Sequence, residues 1–224
     1  ATTAASPDDM PHEPQTPKQW LGRAIFFDEN LSARGNQSCA SCHDPAWGWS
    51  GPISEVNAHE AVYEGSLPGM FGNRKPPTAA YATLSPELHY EIEEGAELFI
   101  GGNFWDGRAT GERLGSTAAE QAQGPFVNPV EQALDTEADV VRKVCDADYT
   151  WLFLDVWGAD ACDPANTEAA FDFIALSLAA FESSPEVNAF TSKFDYYEAG
   201  LVDFTQEELL GLNLFRSEAL CAEC

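Results

Sequence analysis

Residues 39 to 43 read Cys39-Ala40-Ser41-Cys42-His43, and no other stretch of the chain restricts its fold so strongly. Two cysteines two residues apart, with histidine directly after the second, form the attachment sequence of a c-type haem. One helical turn presents both thiols to the haem vinyl groups, and the adjacent imidazole swings under the iron as proximal ligand. Half of a zinc site and a redox Cys-x-x-Cys pair share this spacing. A zinc site needs a second Cys/His pair nearby and a thioredoxin-like pair needs a βαβ context, and neither is visible. Haem attachment is the reading these residues favour.

The chain has 224 residues, enough for one large domain or two small ones. With 44% hydrophobic and 12% aromatic residues it can bury a substantial core. Eleven basic residues stand against 37 acidic ones, a formal charge of −26. That balance argues against nucleic acid and anionic membrane surfaces, both polyanions. It suits a basic electron-donor protein, or simply solubility. No apolar run is long enough to span a membrane. Residues 1–9 are small and polar, as at a mature N-terminus left after removal of a secretory signal. The expected location is the periplasm, since bacterial haem attachment takes place outside the cytoplasm.

Four further cysteines remain. Cys145 and Cys162 flank an apolar, helix-like run and are expected to pair in an oxidising compartment, closing a loop worth on the order of 3 kcal/mol. Cys221 and Cys224 form a second Cys-x-x-Cys. Residues 1–15 should be a poorly ordered leader. Thr16-Pro17 then opens a helix with Trp20, Leu21, Ala24 and Ile25 on one face. Residues 44–104 are rich in glycine and proline and should wrap the cofactor irregularly, with at most a short helix between Pro86 and Ala96.

From Ser116 the pattern is helical. One helix should stop at Gly124-Pro125, and another should open at Asn128-Pro129-Val130-Glu131 with a cap, a first-turn proline and an acid at the third position. Further helices are expected over 137–145, 147–157 and 167–181, and Thr205-Gln206-Glu207-Glu208 begins a last one. No convincing strand is visible, so the expected class is all-α with long irregular loops. The apolar segments Leu21 to Phe27 and Gly211 to Phe215 each precede a cysteine pair, which suggests two haem modules in tandem.

In order along the chain, Leu21-Gly22 through Phe26-Phe27-Asp28, Cys39 to His43, Arg74-Lys75-Pro76-Pro77-Thr78, Phe104-Trp105-Asp106-Gly107-Arg108, Glu120-Gln121-Ala122, Gly124-Pro125 and Asn128-Pro129-Val130-Glu131 resemble the bacterial di-haem cytochrome c peroxidase family, which includes MauG-type enzymes. The resemblance implies a cytochrome c-like peroxidatic domain over 16–200. The start of a second, electron-transfer domain would follow over 201–224, its haem attached through Cys221 and Cys224. It further implies two covalent c-type haems and reduction of hydrogen peroxide at the first. Electrons would come from a small cytochrome or cupredoxin. A MauG-type oxidase acting on a protein tryptophan or tyrosine, and a plain electron-transfer cytochrome, are the alternatives. A homodimer is compatible with the family.

By the same resemblance, Trp105 matches the tryptophan that relays charge between the haems, and Gln121 and Glu131 match the pair on the distal side of the peroxidatic haem. A carboxylate there can carry a proton between peroxide oxygens, and an amide can orient them. Glu131 has a competing structural role as a helix-capping acid. His59 lies sixteen residues after His43, as does a removable sixth iron ligand in classical members, although an exposed loop histidine is the default. Lys75 stands where the family has an asparagine of an inter-haem calcium site, and an ammonium cannot ligate calcium. Residues 111–116 are inserted relative to typical members and should alter the loop near the distal site.

Overall fold

The computed structural model describes residues 15–60, 62–93 and 95–223. His12, most of the expected leader and Cys224 lie outside the described residues. Contacts divide the chain into a first unit ending at Asn188 and a second starting at Ala189. This division falls twelve residues before the boundary at residue 200 expected from the resemblance.

The first unit is built on α1 (Pro17–Phe26) and α6 (Thr167–Glu182). In α1 the Thr16 hydroxyl accepts the Gln19 amide while the Gln19 side chain accepts the Thr16 amide. Leu21, Ile25 and Phe26 are buried, whereas Trp20, one position off that stripe, is exposed. Helix α6 is apolar nearly all round, with Ala170, Phe171, Ile174, Leu178 and Phe181 buried, as befits a central helix. The two helices approach closely at Gly22, where a Cβ would collide with the Ser177 carbonyl. Phe26, Phe27, Trp49 and Phe181 pack edge to face, with centroids 5.3 to 6.3 Å apart.

Helices α3 (Thr117–Val127), α4 (Glu137–Cys145) and α5 (Thr150–Trp157) complete this core. Val140, Val141 and Val144 form the buried face of α4. The Cys145–Cys162 disulfide joins the end of α4 to a short 3-10 turn after α5, as expected. Tyr149 Oη donates to Asp28 Oδ2 at 2.7 Å and ties this region to the loop after α1.

Three expectations are corrected. First, α3 does not stop at Gly124-Pro125 but continues to Val127. A proline so close to the helix end removes only the amide that would bond back to Gln121, and its fixed φ suits the helix. Second, no helix opens at Asn128. Residues 128–132 form a tight turn in which Asn128 Oδ1 accepts the Val130 amide and its carbonyl accepts those of Glu131 and Ala133, each at 3.0 Å.

Third, the helix expected between Pro86 and Ala96 is an antiparallel hairpin, β1 (His89–Glu93) and β2 (Ala96–Ile100), turning through Gly95 at φ 87°. The alternating Tyr90, Ile92 and Phe99 favour a strand over the helix that the glutamates suggested. A short α2 (Ser54–His59) also interrupts the irregular segment. The class remains predominantly α-helical. The second unit holds α7 (Lys193–Glu198) and α8 (Gln206–Arg216), both opened by reciprocal capping boxes.

Candidate haem-binding site

The first unit encloses a cavity of about 480 Å³ into which Cys39, Cys42 and His43 all face. Residues Cys39–Ser41 form a 3-10 turn started by Ser38, whose amide donates to Ser41 Oγ at 3.0 Å. The His43 amide donates to the Cys39 carbonyl at 2.9 Å, so the motif is one continuous turn. Both thiols are free. Burial, with a smaller contribution from Glu131, pushes Cys42 up to about 11. Burial raises Cys39 further, helped by Glu182 and Cys42. These are neutral thiols, unlike the low-pKa thiolates of a thiol-disulfide exchange centre. Among the described residues no group of three or more His, Cys, Asp or Glu side chains comes together as a metal-ion site.

His43 is half-buried, and its partial burial lowers its pKa against the opposing pull of the Trp49 and Pro77 carbonyls. Its Nδ1 lies 3.3 Å from the Trp49 carbonyl. That oxygen can only accept, so the contact requires the proton on Nδ1 and leaves the Nε2 lone pair available to iron. The backbone makes this contact by an unusual route. Gly48 and Trp49 both adopt positive φ, 66° and 58°, and fold the chain back so that Asp44 pairs with Ser50. The Trp49 carbonyl then also accepts the Ala79 amide at 2.9 Å.

Gln121, on α3, and Glu131, on the following turn, line the same cavity. The turn, not a helix cap, sets the direction of Glu131. Burial raises its pKa, partly offset by the positive charge of Arg108 and a hydrogen bond with the Asn128 side chain. Next to it Gln132 is only 3% exposed, lines the cavity, and leaves its Oε1 without a hydrogen-bond partner.

Trp105 stands at the cavity edge, 69% exposed, its Nε1 donating to the Lys75 carbonyl at 3.4 Å. Its loop is closed by Asn103 and Ala109, which pair across the base. Phe104 holds a positive φ of 65° against Gly124, with the Arg108 guanidinium 3.6 Å from its ring centroid. Segment 111–116 is anchored by the Glu120 carboxylate, which accepts the amides of Gly111, Arg113 and Leu114.

One expected iron ligand lies outside the cavity wall. His59 ends α2 with its side chain 69% exposed, 3.8 Å from Glu55, and takes no part in the cavity wall. Cys221 is exposed in a short 3-10 turn of the second unit, its thiol 3.6 Å from the Ala219 carbonyl.

The residues present fit a haem. Two thiols and a half-buried neutral imidazole meet in one cavity, with Phe26, Ala79, Ala122 and Leu178 as apolar wall. Arg74, Lys75 and Arg108 also line it, three of the eleven basic residues in a strongly acidic chain, and suit a cofactor carrying carboxylates. Sequence reasoning quoted these cations inside motifs without giving them a role in binding. It also passed over Glu182, which lies one residue past the helix expected over 167–181.

Fold and cavity together define a cytochrome c-like domain whose site fits a haem. The model of the family described as di-haem cytochrome c peroxidase matches residues 16–203. The chain belongs to this family. It is 37% identical to the methylamine utilization protein MauG of Paracoccus denitrificans over 87% of this chain and 48% of that protein. It is 30% identical to the cytochrome c551 peroxidase of Nitrosomonas europaea over 91% of this chain and 50% of that one. The diheme peroxidase BthA of Burkholderia thailandensis superposes with a TM-score of 0.77 at 30% identity, covering 96% of this chain and 50% of that chain. The chain thus spans about half the length of these relatives.

Proposed function

We propose that this chain carries the peroxide-reacting half of a periplasmic di-haem peroxidase, in which a second haem, attached through Cys221 and Cys224, supplies electrons. The convergence of Gln121 and Glu131 on the cavity that holds Cys39, Cys42 and His43 carries the proposal. Cys39 and Cys42 would hold the haem and His43 its iron, and the bound group supplies redox-active iron to hydrogen peroxide. Glu131 accepts a proton from one peroxide oxygen and returns it to the other, so that cleavage of the O–O bond releases water. Two electrons and two protons then balance the conversion of one peroxide to two waters. The raised pKa of Glu131 suits this exchange, because a carboxyl of ordinary acidity returns a proton less readily. Gln121 orients the peroxide oxygens through its amide.

Trp105, at the rim, relays electrons into the cavity, drawn from a small cytochrome or cupredoxin by way of the second haem. The acidity of the chain favours a basic donor. Lys75 presents its carbonyl to Trp105, and it stands at the sequence position of the family's calcium ligand, where an ammonium replaces the charge of calcium.

A second reading is favoured by one observation: the relative matched at 37% identity is a MauG. In it, the same cavity oxidises a tryptophan or tyrosine of another protein. Optical spectra of the protein with hydrogen peroxide test both readings. High-spin haem that responds to peroxide is expected. Two low-spin haems indifferent to peroxide would leave only an electron-transfer cytochrome. Steady-state reduction of peroxide by a donor protein supports the first reading, and slow turnover with radical formation on a protein substrate supports the second.

A further inference from the structure

Glu182 is the last residue of α6, only 7% exposed, and it lines the haem cavity beside Leu178 and Phe26. Three features make a carboxyl costly there. It is removed from water. It sits at the carbonyl end of a sixteen-residue helix, where the macrodipole disfavours negative charge. Among the described residues its carboxyl also has no hydrogen-bond or ion-pair partner. On α1, which packs against α6, Arg23 is already paired with Glu186 at 2.9 Å. From the attachment turn Cys39 faces it, and once that sulfur is a thioether it no longer titrates. His43, Glu131 and the cations Arg74, Lys75 and Arg108 share the cavity without shifting it. Burial alone pushes Glu182 up to about 8.

An isosteric glutamine would avoid most of these costs, so stability does not explain the carboxyl. What the site offers is a place where positive charge appears and disappears. Oxidation of a haem iron adds one positive charge to the cavity, and in a medium of low dielectric that charge acts strongly on a nearby acid. We propose that Glu182 is the proton-binding group coupled to the redox state of the haem held by Cys39, Cys42 and His43. This rests on the haem reading of the cavity given above. In the step, ferrous iron gives one electron to a one-electron acceptor, the Glu182 O–H bond breaks, and the proton passes to solvent. Reduction by a one-electron donor reverses both transfers. Glu182 is thereby a positioning residue for charge, distinct from Glu131, whose proton goes to peroxide.

The test is a spectroelectrochemical titration of the haem-loaded chain from about pH 6 to about pH 10, using small one-electron mediators. The midpoint potential of the first haem should fall with rising pH, approaching one proton per electron. Glu182→Gln should flatten that slope with haem content and absorption spectrum unchanged, and Glu182→Asp should restore it. Oxidised-minus-reduced infrared spectra of the wild-type chain should show loss of a protonated-carboxyl C=O band, a readout that needs no variant to fold. A pH-independent potential, a slope retained in Glu182→Gln, or no carboxyl band would overturn the inference while leaving the haem site standing. A chain that takes up no haem would overturn both.

Discussion

Two groups of side chains line one cavity by very different means. Cys39, Cys42 and His43 come from five consecutive residues on a single turn, and His43 is held further by the carbonyls of Trp49, six residues on, and of Pro77. Gln121, Glu131, Arg108 and Glu182 come from a helix, a turn, a loop and the far end of another helix. The first group is local chemistry and survives modest changes in the surrounding fold. The second exists only when α3, the turn at 128–132 and α6 are all in place. Attachment and reactivity should therefore fail separately.

Replacing both Cys39 and Cys42 by serine should give the largest effect. Covalent haem is lost at this site, and denatured protein no longer retains the corresponding absorbance. Retention of both haems after acid extraction would mean that this turn is not an attachment site. Glu131→Gln should leave haem content intact yet slow peroxide turnover by roughly 100-fold or more, the usual range for a proton-transferring group. If turnover were unchanged, the distributed group would have no part in the chemistry.

The pH profile sharpens the same contrast. Accepting a proton requires the carboxylate, so activity should fall as pH drops through the Glu131 pKa. Burial raises that pKa, placing the fall above the ordinary carboxylate range. The acid limb should vanish in Glu131→Gln, while haem attachment shows no such limb. Gln121→Leu should have a smaller effect, about tenfold, because it removes orientation and leaves the proton route intact. Steady-state kinetics with haem content as the control separates these outcomes.

The contrast also explains what could be read without coordinates. That Cys39, Cys42 and His43 share one turn was legible because they are nearly contiguous in sequence. So were the helix start at Thr16, the capping box at Thr205 and the extent of α4, where local pattern and tertiary demand agree. The Cys145–Cys162 bond was legible by elimination among six cysteines. Local cues misled where they were ambiguous. Asn128-Pro129-Val130-Glu131 has the composition of a helix start, but the Asn128 side chain closes a turn on Val130 instead. The run after Pro86 carries helix-favouring glutamates, yet Gly95 and the aromatic alternation settle it as a hairpin. Glu182 was invisible because a single acid at a helix end normally faces water, and only the packing of α6 turns it inward.

His59 provides the smallest expected effect and tests the boundary between the two groups. Its spacing from His43 matches that of a removable iron ligand, yet spacing alone does not direct a side chain. Helix α2 has only six residues and none of them is buried, so nothing in its packing drives His59 toward the cavity. Reaching the iron would require α2 to unwind or swing, at a cost set by loop ordering and not by core packing. His59→Ala should therefore leave the haem spectrum of the oxidised protein unchanged, as well as its peroxide kinetics. A switch from low-spin to high-spin absorption in the variant would show that α2 does close over the cavity. The half-reduced protein is the more demanding case, because a change of charge at one haem could draw the loop inward. If that state too is indifferent to the substitution, the open coordination position belongs to the cavity itself, shaped by Gln121 and Glu131.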